Sequence, residues 1–238
     1  MKKQFQILIL VALVFASCNK EEDEVISRSY TLESFDKIQL NDFFDVYLTE
    51  GPSFKMEVKA SKAFMDHIEF NVVNNELSIN NTKRLKWTNP KNNAVSLYIT
   101  SNGLKEVHAN ETCNIKTLNP ITTAEFGIIL KSKANYAELD FDNETVYYWN
   151  NHPCGGKLIL RGQAKELKIW NTALMTVEAE NLICEKVLVE NKSKGKCSVN
   201  ASERIEYLID GKGDIEVYGR PNEVVQKSPN SGGQLIIR

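Results

Sequence analysis

The sequence predicts an all-β protein built as a parallel β-helix, a solenoid of stacked strand-and-turn coils. Two observations predict it. From Phe35 onwards apolar residues alternate with polar ones, the period-2 mark of strands buried on one side. From Val95 a short element recurs: Leu104-Lys105-Glu106-Val107, Ala137-Glu138-Leu139, Lys165-Glu166-Leu167, Glu185-Lys186-Val187 and Glu203-Arg204-Ile205. The later copies align by constant steps. Eighteen residues lead from Val187 to Ile205 and from Cys197 to Ile215; twenty lead from Leu167 to Val187 and from Val177 to Cys197. Repeats of about 20 to 50 residues made of strands and turns mark solenoids, whose coils cannot bury their apolar face alone and must stack. Stacking predicts an inward column of Val177, Cys197 and Ile215, and puts Asn171 and Asn191 at equivalent corners, where asparagine tolerates left-handed backbone and can stack amide on amide. Earlier steps are longer, 28 from Leu139 to Leu167 and 32 from Val107 to Leu139, which keeps a β-sandwich of hairpins as the alternative.

The first element is a leader, residues 1–17. Lys2 and Lys3 precede an uncharged apolar run from Phe5 to Phe15, then small Ala16 and Ser17. This is the layout of a secretory signal peptide, too short to span a membrane. It ends on Cys18 and so resembles the lipobox of bacterial lipoproteins, where the cysteine is acylated and the leader cut; Phe15 stands where an aliphatic residue is preferred. Each buried methylene of such an anchor contributes about 0.8 kcal/mol, so a multiply acylated cysteine suffices to hold the chain. Residues 18–34 read as the lipidated cysteine and a polar tether. Within them Lys20-Glu21-Glu22-Asp23 resembles the lysine-then-acidic signal by which Bacteroidetes-type bacteria send lipoproteins to the cell surface. The expected location is the outer membrane, facing outward, with a periplasm-facing lipoprotein as the alternative.

Residues 35–238 form the expected folded domain. Ile38 and Leu40, then Phe44, Val46 and Leu48, alternate before a Gly51-Pro52 turn; Met56 and Val58 continue the pattern. Ser61 to His67 can form a helical turn or two. Ile68, Phe70 and Val72 lead through an Asn74-Asn75 turn to Leu77 and Ile79. Lys83 to Asn93 is polar and reads as a loop. Beyond it, Phe126 to Leu130 and Lys157 to Arg161 are strand-like segments in the longer repeats.

Composition narrows the function classes. Hydrophobic residues make up 42%, enough for a core, and 29 basic against 31 acidic residues leave no cationic field for nucleic acid. Cys113, Cys154, Cys184 and Cys197 allow three disulfide pairings, but each is flanked by strand-like sequence, and buried thiols are the simpler reading. His67, His108 and His152 are far apart and lack metal or triad spacing, so surface histidines are expected. No cofactor or metal motif is present; Gly211-x-Gly213 leads into a strand, unlike a nucleotide-binding loop.

Two constellations could carry function. Asp140, Asp142 and Glu144 share one strand face, as carboxylates for glycoside hydrolysis or calcium binding must, with Arg161 the one plausible cationic partner; a solvated outer face explains them equally. Tyr148, Trp149 and Trp170 are the candidate ligand-binding residues, since exposed rings stack on sugar faces. If Ile169 points inward Trp170 points out, near Tyr148; the competing reading is an aromatic pair covering a sheet edge or the His152–Gly156 loop.

The C-terminal copy reads Asp210-Gly211-Lys212-Gly213-Asp214-Ile215, then Tyr218-Gly219-Arg220-Pro221 and Ser231-Gly232-Gly233. Together with Phe35–Ile38, Phe44-Asp45-Val46 and Gly51, this resembles the "putative auto-transporter adhesin, head GIN domain" family. The middle departs from the pattern, with Glu111-Thr112-Cys113 and Asn143-Glu144-Thr145 where glycine-rich corners belong. The resemblance implies a right-handed, pectin-lyase-like β-helix without catalytic residues, in a secreted or lipid-anchored protein with a role in adhesion. The expected partners are the membrane, through the lipid, and a glycan or surface protein. A polysaccharide-active enzyme on the same fold and a structural envelope lipoprotein without ligand are the alternatives.

Overall fold

The computed structural model describes residues 24–84, 94–150 and 153–238. The leader, Cys18, the acidic signal at 20–23, His152 and most of the expected loop at 83–93 lie outside the described residues. Strand accounts for 67% of the chain, wound into a β-solenoid of about six turns, as expected of a β-helix. In chain order the elements are β1 (Val25–Thr31), β2 (Lys37–Leu40), β3 (Phe44–Glu50), β4 (Lys55–Ser61), α1 (Lys62–Met65), β5 (Ile68–Val73), β6 (Glu76–Asn81), β7 (Ser96–Ser101), β8 (Glu106–Ala109) and β9 (Cys113–Thr117). They continue as β10 (Glu125–Leu130), β11 (Asn135–Trp149), β12 (Gly155–Ser193), β13 (Cys197–Ile209), β14 (Ile215–Tyr218), β15 (Glu223–Gln226) and β16 (Leu235–Ile237). The helical turn expected near Ser61 is α1, and Asn74 and Asn75, both left-handed, make the two-residue turn between β5 and β6.

The solenoid has two parallel faces, and the long strands β11, β12 and β13 bend through a corner to serve both. On one face β3, β9, the first half of β11 and β12 stack, so that Val46, Ile115, Ala137 and Leu158 are register partners in series. On the other, β2, β8, β10, the second half of β11 and β12 align Ile38, Val107, Ile128, Tyr148 and Ile169. These side chains are buried, and each contributes about 1.5–3 kcal/mol by leaving water. The expected column of Val177, Cys197 and Ile215 is present, and Leu235 extends it. Parallel pairing is what lets one inward residue stack on the next without a change of face.

The repeat is more regular than the steps of 28 and 32 imply. Along the second face the register runs 107 to 128, 128 to 148 and 148 to 169, steps of 21, 20 and 21 residues. Ala137-Glu138-Leu139 pairs with Leu158-Ile159-Leu160 on the first face, whereas Glu166-Leu167 pairs with Thr145-Val146 on the second. The two segments are successive sides of a coil with the same alternation, not copies of one side. Phe126 to Leu130 and Lys157 to Arg161 are the missing coils' strands.

Half of the expected tether is part of the fold. β1 pairs antiparallel with β4, and β5 pairs antiparallel with β6, closing the N-terminal end of both faces. Tyr30 of β1 and Phe70 of β5 meet edge to face at 4.7 Å, Arg28 pairs with Asp66 at 2.8 Å, and Phe64 and Met65 of α1 are buried beneath them. Antiparallel strands with charged residues blunt an edge that would otherwise recruit another sheet.

At the corner that ends the second face, the inward column turns from aliphatic to amide. Asn150, Asn171 and Asn191 are buried there. Asn171 Nδ2 donates to Met175 O at 2.9 Å and to Asn191 Oδ1 at 3.2 Å, while Asn191 Nδ2 donates to the carbonyls of Gly195 and Gly213, each at 3.0 Å. The equivalence of Asn171 and Asn191 is thus an amide-to-amide contact, but neither adopts the expected left-handed backbone; besides the Asn74-Asn75 turn, the left-handed non-glycine described is Ala173. Amides satisfy corner carbonyls that no strand can reach. Cys113, Cys154, Cys184 and Cys197 are buried free thiols, and burial pushes Cys113, Cys184 and Cys197 up to about 12.

Candidate functional site

Alternation decides which aromatics of β11 and β12 meet solvent. In β11 the inward side chains are Val146 and Tyr148, followed by Asn150, so Tyr147 and Trp149 point out. Tyr148, read from sequence as a ligand-binding candidate, is 0% exposed. It stacks between Ile128 and Ile169, and its hydroxyl accepts from Asn150 Nδ2 at 2.6 Å. A ring held in that column cannot touch a ligand.

Trp149 and Trp170 do come together. They are direct register partners on adjacent strands, about 4.8 Å apart, with Trp149 36% exposed. The outward row to which they belong runs His108, Ile129, Trp149, Trp170. Ile129 points out yet is 2% exposed, so its neighbours cover it. The parallel row runs Glu106, Gly127, Tyr147, Lys168. A Cβ on Gly127 would lie 2.1 Å from Tyr147 Cζ, which shows that the phenol covers the glycine. Burial, then the Glu106 and Glu125 charges, push the Tyr147 hydroxyl up to about 12. Burial also raises the Glu106 carboxyl, but its contact with His108 and its pairing with Lys37 at 3.2 Å outweigh this and hold it below the usual range. His108 therefore belongs to this cluster, while His67 is an exposed surface histidine as expected.

Beside the two tryptophans lies a groove of about 410 Å³, within the range of small-ligand sites. Asn150 and Asn171 form its floor; Thr172, Glu190 and Lys192 line it. The floor is held internally, because Asn150 Oδ1 accepts from Thr172 N at 2.9 Å and from the Thr172 hydroxyl.

The acidic alternation is outward, as its solvated reading predicts, and each carboxylate has its own partner. Asp140 accepts from Thr117 Oγ1 at 3.4 Å, Asp142 from Gln163 Nε2 at 2.7 Å, and Glu144 pairs with Lys165 at 2.7 Å. Arg161 pairs with Glu138 and hydrogen-bonds to none of the three. Among the described residues no group of three or more His, Cys, Asp or Glu could hold a metal ion.

A family model described as "Putative auto-transporter adhesin, head GIN domain" matches residues 34–221. The chain belongs to this family. Solved structures show how far the head GIN fold extends. A putative adhesin of Bacteroides fragilis is 19% identical, with a TM-score of 0.74 over 91% of this chain and 98% of that one. A Parabacteroides merdae putative adhesin is 13% identical, with a TM-score of 0.59 over 90% and 97%. A Parabacteroides distasonis protein described as a putative lipid binding protein is 14% identical, with a TM-score of 0.60 over 90% and 97%. At these identities the likeness is one of fold. No curated protein matches the chain. Among the described residues of this head GIN domain, no helix is long and apolar enough to cross a membrane.

One strained residue adjoins the groove. Ala173, next to Thr172, has φ +64°, and its carbonyl accepts from Lys194 N at 2.9 Å and Ser193 Oγ at 3.1 Å. A left-handed alanine costs about 1–2 kcal/mol. Glycine removes that strain but adds unfolded-state entropy, so Ala173→Gly is expected to stabilise this head GIN domain by about 0.5–1 kcal/mol. A shifted urea midpoint with unchanged slope would show it.

Proposed function

We propose that this head GIN domain is a non-catalytic adhesin, held at the outer membrane by a lipid on Cys18 and displayed outward, that binds a glycan or protein through its Trp149–Trp170 face. The observation that carries the reading is the contrast between the two candidate sites. The carboxylates at 140, 142 and 144 are each taken up by a neighbouring coil, while two tryptophans stand side by side over a groove on a rigid sheet. A solenoid supplies an extended frame, and function resides in side chains grafted on it. The lipobox-like Cys18 and the acidic run behind it support the anchor and the outward address; the family's adhesin description supports the role.

Purified protein tested against host and dietary polysaccharides and mucin, with binding and cleavage scored separately, tests the activity. Binding without cleavage is expected, lost in Trp170→Ala; cleavage would overturn the non-catalytic reading, and undiminished binding by Trp170→Ala would overturn the face. The anchor has its own test. Cys18→Ser should move the protein from the membrane fraction to the soluble one, because it removes the acylated residue and the leader's uncharged run, Phe5 to Phe15, is too short to span a membrane. Protease treatment of intact cells should remove the wild-type protein; protection would place it facing the periplasm.

A further inference from the structure

We propose that the Trp149–Trp170 groove is a subsite for an acidic sugar, a pyranose carrying a carboxylate, with Lys192 as the residue that selects the charge. The inference rests on the reading of this face as the adhesin's contact surface and names what it takes. Trp149 and Trp170 are register partners lining one groove, and Tyr147 covers Gly127 on the neighbouring strand, giving an outward row of aromatic side chains. Such a surface suits the C–H face of a pyranose ring better than an extended peptide, which needs a free strand edge or a deep apolar slot.

The charge follows from the groove's rim. Glu190 lines the groove, but Lys227 neutralises it at 2.7 Å and its side chain is only 18% exposed. Lys192 lines the same groove, exposed, and pairs with no described carboxylate. The acid nearest it by register is Asp210 on the next coil, since Asn191 opposes Ile209, and Asp210 accepts from Ser231 Oγ at 3.1 Å. Lys194 and Lys212 follow along that corner, likewise exposed and without a described acidic partner. Asn150 is committed to Thr172 and Tyr148 and the Asn171 amide nitrogen to Met175 and Asn191, while Asn171 Oδ1, which has no partner, is buried out of reach, so the unpaired polar chemistry exposed at the groove is cationic. An aromatic wall beside an unpaired ammonium is complementary to a ring with a carboxylate at its edge.

The test is calorimetric titration of the whole mature protein with tetragalacturonate and with sialyllactose, each beside its neutral counterpart, carboxyl-reduced tetragalacturonate and lactose. Two arms separate uronate from sialate as the source of the carboxylate. Binding of at least one acidic probe about fivefold or more tighter than its neutral counterpart, with the margin shrinking as salt rises, is the expected result. Lys192→Ala should erase that margin. Trp170→Ala and Trp149→Ala should each weaken all binding about tenfold or more. Equal affinity for acidic and neutral probes, a margin that survives Lys192→Ala, or no binding of either acid overturns the inference. Mucin and cell binding measured on the same variants keeps the outcomes apart. If Trp170→Ala abolishes it while the acidic probes fail, the contact face stands and the ligand class falls; if it does not, the face itself is wrong.

Discussion

Gly156→Ala should destabilise the protein by about 3–5 kcal/mol, a large share of the roughly 5–15 kcal/mol by which native domains are held folded. Gly156 has φ +116°, and a Cβ there would sit 1.8 Å from the carbonyl oxygen of Asn135, with the Asn135 C and N atoms both at 2.8 Å. Asn135 is its register partner on the neighbouring coil, so the obstacle is backbone already committed to the ladder, not a side chain that can rotate away. Relief requires the two coils to part, which breaks the inward columns on either side. Gly103→Ala is the matched control: its φ is +82°, but nothing lies within 4 Å of the added methyl. That change carries the conformational cost alone, about 1–2 kcal/mol. Urea denaturation of both variants checks the pair, and a Gly156→Ala protein destabilised no more than the Gly103→Ala control would refute the close-approach argument.

The second large effect is expected at the amide corner. Asn171 is fully buried, and its Nδ2 serves Met175 O, Asn191 Oδ1 and, at 3.3 Å, Cys197 Sγ. Asn171→Ala removes that donor, leaves the Met175 carbonyl with Ser193 Oγ (3.1 Å) as its side-chain donor, and opens a void at the corner, at a cost of about 1–3 kcal/mol. Asn171→Asp has nearly the same shape but puts a carboxylate against two oxygens, and should cost more at neutral pH, about 3–5 kcal/mol. The pH dependence has a definite sign. Burial among acceptors raises the aspartate's folded-state pKa above its unfolded value of about 3.9, so the folded state holds the proton more tightly. The penalty is therefore smallest below about pH 4 and grows as pH rises through the window between the two pKa values. Denaturant midpoints of Asn171→Asp should approach those of Asn171→Ala on acidification, relative to wild type at each pH; a pH-independent difference would mean that the corner is hydrated.

Much of the scaffold is legible along the chain. Val177, Cys197 and Ile215 stack because inward residues of parallel coils must recur at one step, and glycine and asparagine mark the corners. The same alternation misled where it was used to count coils. Ala137-Glu138-Leu139 and Lys165-Glu166-Leu167 look alike because apolar-polar-apolar is what any half-buried strand presents, on either face. The site was half legible for the same reason. Trp149 and Trp170 follow inward residues and so point out, but Tyr148 was grouped with them when its neighbour Tyr147 is the outward ring. A signal was available in Gly127, a glycine inside a strand, which marks a place where another group covers the backbone.

The sequence by itself determined that this protein is a lattice of half-buried strands with a lipobox-like cysteine before it, since alternation, turn residues and leader composition are local properties. Only the tertiary structure decided which strands are neighbours, that residues 25–31 cap the solenoid instead of trailing from it, and that Trp149, Trp170 and Lys192 share a groove. Those facts depend on the lengths of corners and on register between coils about 20 residues apart, where one residue of slip reverses every side chain. No local pattern carries that information; the packing of the whole column does.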